Sequence, residues 1–281
     1  MQACIIGLGL IGGSMALSLK KNGFIHRAVG VELNPIHAQK ALDLGLVEEV
    51  VSLEEGIQNS LLTILAIPVD KGEALISKIL DQIPSESVVT DLGSTKYGIC
   101  KAVQNHPQRG RFVASHPIAG TENTGPEAAF DSLFEGKMGI ICDPEVSDPD
   151  ALELIKSLYL SLNMTLSYMP SKDHDLHLAY VSHLSHITSF ALGLTVLEVE
   201  KDEKNIFTLA GSGFASTARL AKSSASMWVP ILLQNKTHLL KVLDEYVRFM
   251  EDFRKGIMEE DHQTLQSLIE RANGIRRILE K

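Results

Sequence analysis

Six residues near the start of the chain, Gly7-Leu8-Gly9-Leu10-Ile11-Gly12, form a Gly-x-Gly-x-x-Gly pattern. An apolar run at residues 3–6 predicts a strand before the glycines, and the periodicity of residues 11–21 predicts a helix after them. A second strand, predicted at residues 28–31, ends in Glu32, about 20 residues after the last glycine. This order of strand, glycine-rich turn, helix and acidic residue is typical of a site that binds a dinucleotide.

Each glycine of the turn has a separate expected role. Gly7 permits the tight turn, Gly9 lets backbone N–H groups approach a pyrophosphate, and Gly12 lets the helix pack closely against the strand. The Glu32 carboxylate would bind the adenosine ribose and repel a 2′-phosphate, so we predict NAD rather than NADP. The predicted cofactor-binding residues are Gly7, Leu8, Gly9, Leu10, Ile11, Gly12, Glu32, Ala66 and Pro68. The alternatives are a glycine-rich turn that binds no nucleotide and, for the last two residues, the plain end of a strand.

The first half of the chain alternates short apolar runs with helical stretches, a pattern that predicts a parallel sheet covered on both faces. After residue 171 the sequence indicates helices and no strand. We therefore predict an α/β fold: a Rossmann-type dinucleotide-binding domain with a mostly parallel sheet at residues 1–169, then an all-α domain at residues 170–281. The wide apolar stripes of the later helices predict burial against another helix or another subunit, and we expect a homodimer through this domain.

Composition and charge restrict the class of protein. Of the 281 residues, 44% are hydrophobic and 22% are charged, as in globular proteins, and the net charge of −9 argues against a nucleic-acid partner. The cysteines, Cys4, Cys100 and Cys142, are far apart, which fits a reducing compartment and suggests neither a disulfide framework nor a zinc site. The apolar residues 3–19 contain the glycines and have no basic residue before them, so we expect no signal peptide and no membrane span. We predict a cytoplasmic protein.

A histidine followed by proline lies after a strand predicted at residues 112–114, in the segment Ser115-His116-Pro117-Ile118-Ala119-Gly120. Behind a dinucleotide-binding half, a histidine can accept a hydroxyl proton while a hydride leaves the same carbon. Another predicted strand ends in Asp91-Leu92-Gly93-Ser94-Thr95-Lys96, and its Ser94 hydroxyl could orient the imidazole or contact the nicotinamide end of the cofactor. We predict His116 and Ser94 as catalytic residues. The alternatives are a histidine with only local hydrogen bonds and a serine that caps a helix.

Five segments, in a fixed order along almost the whole chain, mark a resemblance to a known family. They are Gly7-Leu8-Gly9-Leu10-Ile11-Gly12-Gly13-Ser14, Asp91 to Lys96, Ser115 to Gly120, Ser182-His183-Leu184-Ser185-His186, and Thr217-Ala218-Arg219-Leu220-Ala221 running to Met227-Trp228. Their order and spacing together resemble the prephenate dehydrogenases and the related arogenate dehydrogenases of tyrosine biosynthesis. The resemblance implies an NAD-dependent oxidoreductase that converts prephenate to 4-hydroxyphenylpyruvate with loss of carbon dioxide.

The resemblance also implies roles for individual residues. The family's catalytic histidine corresponds to His116, which would accept the proton of the ring hydroxyl while hydride passes to the nicotinamide, and the serine beside it corresponds to Ser94. Arg219 corresponds to the substrate-binding arginine, whose planar guanidinium can hold a carboxylate with two parallel hydrogen bonds. A solvated helix charge is the alternative for Arg219. The stretch Ser212-Gly213-Phe214-Ala215-Ser216 departs from the family pattern, because Ser216 stands where the family often has Asp.

The histidines and acidic residues between residues 173 and 186 raise the question of a metal site. At roughly 100° per residue, one straight helix cannot bring the four histidines of this stretch to one ion, so we predict no metal. His186 shares a helix face with Ser182, and these two residues, with His183, are the predicted contacts to the substrate side chain. By the resemblance, histidine at position 186 goes with prephenate and glutamine goes with arogenate, so we predict prephenate as the substrate.

Three other functions stay open on the sequence. An arogenate dehydrogenase would give tyrosine directly. A β-hydroxyacid dehydrogenase would use a lysine within a helical Gly-x-x-x-Lys stretch, and the second half of the chain has no convincing equivalent. A non-catalytic NAD-sensing protein would keep Glu32 and the glycines, but it would have no use for His116 together with Arg219.

Overall fold

A computed structural model of the chain describes residues 1–200 and 206–279. By packing, the chain divides into two compact units, Met1–Asn235 and Lys236–Lys281. The first unit contains the whole sheet, whose last strand ends at Met169, and several of the helices that follow. The domain boundary predicted between residues 169 and 170 falls inside this first unit, at the point where the sheet ends.

One sheet organises the first unit. Its strands are β1 (Gln2–Ile6), β2 (Arg27–Val31), β3 (Glu49–Val50), β4 (Leu62–Leu65), β5 (Val88–Asp91), β6 (Phe112–Pro117), β7 (Met138–Cys142) and β8 (Thr165–Met169). They lie in the order β3-β2-β1-β4-β5-β6-β7-β8. The strands from β3 to β6 run parallel, β7 is antiparallel to β6, and β8 is parallel to β7. The part from β3 to β6 has the Rossmann-type strand order, which confirms the predicted fold class.

The parallel strands bring their carboxyl ends to one edge of the sheet, which is where ligands bind in folds of this kind. The glycine turn follows β1, Glu32 follows β2, Ala66 follows β4, Ser94 lies beyond the end of β5, and His116 is the next-to-last residue of β6. Residues that are far apart in sequence are therefore collected along one edge of the sheet.

Helices cover both faces of the sheet and account for the chain after β8 in the described residues. They are α1 (Leu10–Lys21), α2 (Pro35–Asp43), α3 (Leu53–Gln58), α4 (Val69–Leu80), α5 (Tyr97–Ala102), α6 (Pro149–Ser161), α7 (Ser171–Leu178), α8 (Leu184–Glu200), α9 (Ser212–Ala218), α10 (Ala225–Gln234), α11 (Lys236–Met258), α12 (His262–Ala272) and α13 (Arg276–Leu279). None of the helices in the described parts of the chain combines the length and the apolar character that a membrane crossing requires.

Alternation along β1 separates the core into two layers. Ile5 packs into the apolar layer that includes residues of α1 and α6, whereas its neighbours Cys4 and Ile6 pack into the layer that includes residues of α3 and α4. Successive side chains of a strand point to opposite faces of a sheet. A fully buried strand of this kind therefore needs helices on both sides, as the run of apolar residues predicts.

Short elements are missing from the sequence-based prediction. β3 has two residues, and α3 and α5 have six residues each, which is too few for a periodic pattern. β8 is a partly exposed strand at the edge of the sheet and is also missing. β6 is longer than the strand predicted at residues 112–114, so His116 lies within the sheet rather than after it.

The stretch that carries the four histidines between residues 173 and 186 does not form one straight helix. α7 and α8 are joined by a π-helical turn, Ala179–His183. A π turn contains an extra residue and so changes which side chains share a helix face. The histidines of this stretch therefore lie on two helices and the π turn between them, and not on the one straight helix assumed from the sequence. Within residues 1–200 and 206–279, no group of three or more His, Cys, Asp or Glu side chains is placed to hold a metal ion.

In the second unit, α11 and α12 pack closely against each other. A Cβ added at Gly256 of α11 would lie 2.9 Å from Leu265 Cδ2 of α12. Glycine at this position therefore lets the two helices approach at their crossing point.

Candidate active site

The three glycines of the turn differ in what surrounds them. Gly7 has a φ of +92°, and a Cβ there would lie 2.5 Å from the Ala66 carbonyl oxygen. A Cβ at Gly12 would lie 1.9 Å from the Gly7 carbonyl oxygen, whereas a Cβ at Gly9 would meet nothing within 4 Å. The fold itself therefore requires glycine at positions 7 and 12. At position 9 the missing side chain leaves open space in front of the first turn of α1, which has no side-chain cap and no acidic residue.

Glu32 is held beside this turn. Its carboxylate accepts hydrogen bonds from the Leu8 N–H at 3.1 Å and from the Asn34 N–H at 2.9 Å. Each carboxylate oxygen has a further lone pair for a hydroxyl group. The uncapped helix N-terminus and the acid at the end of β2 together fit the pyrophosphate and the ribose of a dinucleotide.

The other predicted cofactor residues surround the same turn. The side chains of Leu8 and Leu10 are buried in the core, so only their backbone atoms can face a ligand. Ala66 packs against the turn, since its Cβ would lie 3.0 Å from a Cβ added at Gly12. Pro68 directly precedes α4 and is exposed. The structure thus brings Ala66 to the turn and places Pro68 at the same edge of the sheet.

His116 lies almost fully buried at the end of β6, opposite Ile140 of β7, with 8% of its surface exposed. Its Nδ1 is 2.9 Å from His174 Nε2, and the two rings meet edge to face. Burial, followed by the nearby His174, Lys96 and His183, holds the pKa of His116 well below its usual value. The imidazole is therefore uncharged near neutral pH, as a general base must be.

His174 and Asp175 are neighbours of His116 that the sequence did not identify. His174 Nδ1 lies 2.8 Å from Asp175 Oδ1. The Asp175 carboxylate also accepts the N–H groups of Lys96 at 2.7 Å and Tyr97 at 3.0 Å, and so holds the start of α5. The signal for them in the sequence is the adjacent pair His174-Asp175, within the stretch of histidines and acidic residues between residues 173 and 186.

A buried ion pair supports the ends of β5 and β6. Lys96 Nζ contacts the Asp91 carboxylate and donates a hydrogen bond to the Ser115 carbonyl oxygen at 2.8 Å. The same carboxylate accepts the Gly93 N–H at 3.0 Å. These bonds hold the turn that carries Ser94 next to the strand that carries His116.

Ser94 itself is partly buried, and its backbone lies near the imidazole of His183. Among the described residues, no hydrogen bond joins Ser94 to His116, whose ring bonds to His174 instead. Ser94, just beyond the end of β5, and His116, in the adjacent strand β6, therefore lie at the same edge of the sheet without a hydrogen bond between them.

His183 and His186 lie against Trp228. His186 stacks on the indole with ring centroids 3.5 Å apart, and His183 meets it edge to face at 5.8 Å. His186 Nδ1 donates to the Ser182 carbonyl oxygen at 3.0 Å. Burial lowers the pKa of His183 to about 4, and burial followed by the charge of Arg219 lowers the pKa of His186. Both rings are uncharged near neutral pH.

Arg219 is half exposed and pairs with a carboxylate that the sequence did not identify. Its Nη1 lies 2.8 Å from Glu122 Oε2. Ser189 on α8 donates to the Thr217 carbonyl oxygen at 3.0 Å and so ties α8 to the end of α9, just before the arginine. Ser216 is exposed on α9. A substrate carboxylate would compete with Glu122 for the guanidinium.

Two family models match the chain. "Prephenate dehydrogenase, nucleotide-binding domain" matches residues 15–168, and "Prephenate dehydrogenase, dimerization domain" matches residues 170–271. The chain is 33% identical over 264 residues to the prephenate dehydrogenase of Bacillus subtilis (strain 168), with 93% of this chain and 71% of the relative aligned.

Two solved structures are similar to this chain over almost its whole length. The A. aeolicus prephenate dehydrogenase in complex with hydroxyphenyl propionate and NAD+ has a TM-score of 0.86 and 31% identity, with 100% of this chain and 98% of that chain covered. The Synechocystis arogenate dehydrogenase has a TM-score of 0.76 and 27% identity, with 99% of this chain and 100% of that chain covered.

Proposed function

The chain belongs to the prephenate dehydrogenase family, and on this basis we propose roles for its site residues in the reaction. It catalyses the NAD-dependent oxidative decarboxylation of prephenate to 4-hydroxyphenylpyruvate, a step of tyrosine biosynthesis. One observation carries the assignment of the site. A buried, uncharged His116 stands at the sheet edge that also bears the glycine turn and Glu32.

The cofactor-binding residues are those around the turn. Backbone N–H groups of residues 7–12 and the start of α1 face the pyrophosphate, Glu32 binds the adenosine ribose, and Ala66 and Pro68 line the crevice. The open space at Gly9 supports this placement, because nothing in the protein needs it. NAD, when bound, supplies the oxidising power of the reaction by accepting a hydride from the substrate ring.

His116 is the general base. Its uncharged ring accepts the proton of the ring hydroxyl, whose oxygen becomes a carbonyl as the carbon is oxidised. Loss of the ring carboxylate as carbon dioxide then makes the ring aromatic, and this drives the reaction forward. Ser94, beyond the end of the adjacent strand β5, contacts the substrate or the nicotinamide end of the crevice rather than the imidazole.

The substrate has two carboxylates, and Arg219 is the proposed cation for one of them. Its guanidinium exchanges Glu122 for the substrate carboxylate, and this is possible because both partners of the ion pair are accessible to solvent. Ser182 and His186, which are partly exposed, line the helical side of the site, where the substrate side chain binds, and the fully buried His183 packs behind them against Trp228. The charge of Arg219 already acts on His186, which supports their placement in one site.

The helical part of the chain is proposed to form a homodimer, and residues 1–169 and 170–281 are proposed as the two domains. The dimerization-domain model supports the first proposal. Large apolar side chains are exposed on the helices of this part, among them Leu194, Leu233, Leu240, Val247 and Met250. The enzyme is proposed to work in the cytoplasm, and recovery of the activity in the membrane or secreted fraction of cells would contradict this.

A substrate panel tests the proposed site. Purified protein is given prephenate or arogenate with NAD or NADP, and formation of reduced cofactor is followed by absorbance. We expect the highest kcat/KM with prephenate and NAD. His116→Asn should lower kcat by about 10²–10⁴-fold while the Kd for NAD stays unchanged.

His177→Asn, an exposed histidine on α7, is the matched control and should behave as the unmodified protein. Unchanged turnover in His116→Asn would remove His116 from the mechanism. A strong preference for arogenate would refute the substrate assignment, and similar efficiency with both cofactors would refute the role of Glu32.

A further inference from the structure

We propose that His174 and Asp175 are positioning residues that hold His116 in one tautomer, with a hydrogen on Nδ1 and a bare Nε2 facing the substrate hydroxyl. The inference rests on the proposed role of His116 as general base. It adds two residues, from a different helix, that do not touch the substrate and act through the imidazole.

The direction of each hydrogen bond can be worked out from Asp175, whose carboxylate is an acceptor. Both oxygens of this buried carboxylate accept backbone N–H groups, from Lys96 at 2.7 Å and Tyr97 at 3.0 Å. An ionised carboxylate has only acceptor sites. His174 Nδ1, 2.8 Å from Asp175 Oδ1, must therefore carry a hydrogen and donate it.

The hydrogen on His174 Nδ1 determines the rest of the chain. Burial lowers the pKa of His174, so its ring is neutral and carries one N–H only. Its Nε2 then carries no hydrogen and can only accept. His116 Nδ1, which lies 2.9 Å from this atom, must therefore be the donor. Because His116 is also neutral, its Nε2 has no hydrogen and is free to accept a proton.

The opposite arrangement, in which His174 donates to His116, is excluded because it would leave buried polar atoms unpaired. If His174 donated from Nε2 to His116, then its bare Nδ1 would face the Asp175 carboxylate at 2.8 Å. Two acceptors would then meet in a site from which water is excluded. Leaving buried polar atoms unpaired costs about 1–3 kcal/mol, and more for a charged group. His174 and His116 both have less than a tenth of their surface exposed, so no solvent relieves this contact.

The same chain of hydrogen bonds stabilises the product of proton transfer. In the reaction, the hydroxyl O–H bond of the substrate breaks, a bond forms between that proton and His116 Nε2, and the oxygen lone pair forms the carbonyl as the hydride leaves for NAD. His116 becomes an imidazolium that still donates from Nδ1. The charge is stabilised through His174 by the Asp175 carboxylate, as the aspartate of a catalytic triad stabilises its histidine.

Two variants of His174 separate a tautomeric role from a packing role. In His174→Gln, the amide oxygen can still accept the His116 Nδ1 hydrogen, so kcat should stay within about tenfold of the unmodified value. In His174→Leu, no acceptor remains, and kcat should fall by about 100-fold or more at an unchanged Kd for NAD. His177→Leu, on the exposed side of α7, is the control. Equal kcat values for His174→Gln and His174→Leu would overturn the inference.

The pH dependence of kcat/KM is a second test, because a residue that only fills space would not shift it. The charged or titratable groups facing His116 are His174 and His183 from the α7 and π-turn segment, and Lys96 from the start of α5. Asp175 acts on the ring through His174. In Asp175→Asn the imidazolium loses its negative partner, so the acid limb of kcat/KM should move to lower pH. A limb that stays in place would contradict the inference.

Histidine nitrogen NMR measures the tautomer without activity. In protein labelled with 15N histidine, with His116→Asn used to assign the signal, His116 should show a protonated Nδ1 and a bare Nε2. A hydrogen on Nε2 would overturn the inference. An active His116→Asn variant would instead defeat the proposed function, so the two failures are distinguishable.

Discussion

Gly9 and Gly12 are three residues apart in one turn, yet they have different reasons to be glycine. A Cβ at Gly12 would collide with the Gly7 carbonyl oxygen, whereas a Cβ at Gly9 would enter open space. Gly9 also has φ −76° and ψ −162°, an extended conformation that any residue can adopt. The backbone therefore does not require glycine at position 9, and the proposed pyrophosphate site offers the reason for it.

Gly9→Ala should leave the melting temperature unchanged and raise the Kd for NAD by about 10–100-fold, because the added methyl group occupies the space of the pyrophosphate. Gly12→Ala should lower the free energy of unfolding by about 3 kcal/mol or more, since the strand and the helix must move apart. Calorimetric titration and urea unfolding measure the two effects. Gly211→Ala is the control, since its Cβ also meets nothing within 4 Å. A Gly9→Ala variant that binds NAD normally would move the cofactor away from this turn.

Single residues of the site were partly predictable. Glu32 and the glycines were predicted from spacing along the chain, because a turn between a strand and a helix uses only local residues, and His116 was predicted from the His-Pro segment and the family resemblance. His174 contacts His116 across 58 residues of sequence, and Glu122 contacts Arg219 across 97. Such pairs form only when separate elements pack, and no spacing rule contains them.

At the level of elements, the ends of β5 and β6 are held together by one buried ion pair. Lys96 and Asp91 have almost no exposed surface, and both bond to the Ser115 backbone. Removing one member of a buried pair leaves an uncompensated charge in the core, which is costly because the interior solvates charge poorly. The positions of Ser94 and His116 therefore depend on this pair.

Lys96→Met should lower the free energy of unfolding by about 3–5 kcal/mol, because Asp91 remains charged and buried. The double variant with Asp91→Asn should recover much of this loss, since the amide is neutral and its oxygen can still accept the Gly93 N–H. Lys71→Met, on an exposed lysine, should change stability by about 0–1 kcal/mol. Urea unfolding measures all three. If Lys96→Met unfolds like Lys71→Met, then the pair does not support the strand ends.

The prediction of helices and strands from the sequence fails where the element is short or irregular. Strands such as β1 and helices such as α1 have enough residues to show a period, and their predicted bounds agree with the structure within one residue. The π turn at Ala179–His183 has no periodic pattern of apolar residues that would predict it, because its backbone conformation depends on tertiary packing. This turn alters the phase between the α7 residues that face His116 and the α8 residues that face Trp228.

For the whole molecule, the proposed homodimer makes a prediction about α11. Val247 and Met250 are large apolar side chains, each more than half exposed. Exposed apolar surface of this kind is typical of an interface with another subunit. The double variant Val247→Asp with Met250→Asp should sediment as a monomer, because charged groups would be buried at the interface.

Analytical ultracentrifugation measures this, with circular dichroism to confirm that the helices remain. Lys241→Asp, an exposed position on the opposite side of α11 from Met250, is the matched charge change and should remain a dimer. A monomeric unmodified protein, or a dimeric double variant, would contradict the proposed interface.

The sequence by itself determined the Rossmann-type half and marked the glycine turn, Glu32 and His116 as candidate site residues, because these features lie in local motifs and in the alternation of strands and helices. Only the tertiary structure decided what His116 touches. Burial lowers the pKa of its ring, and the hydrogen bond proposed to run from its Nδ1 to His174 Nε2 of α7 would fix its tautomer. Both effects depend on through-space contacts and on the exclusion of water, which arise when the chain folds and which no linear pattern records.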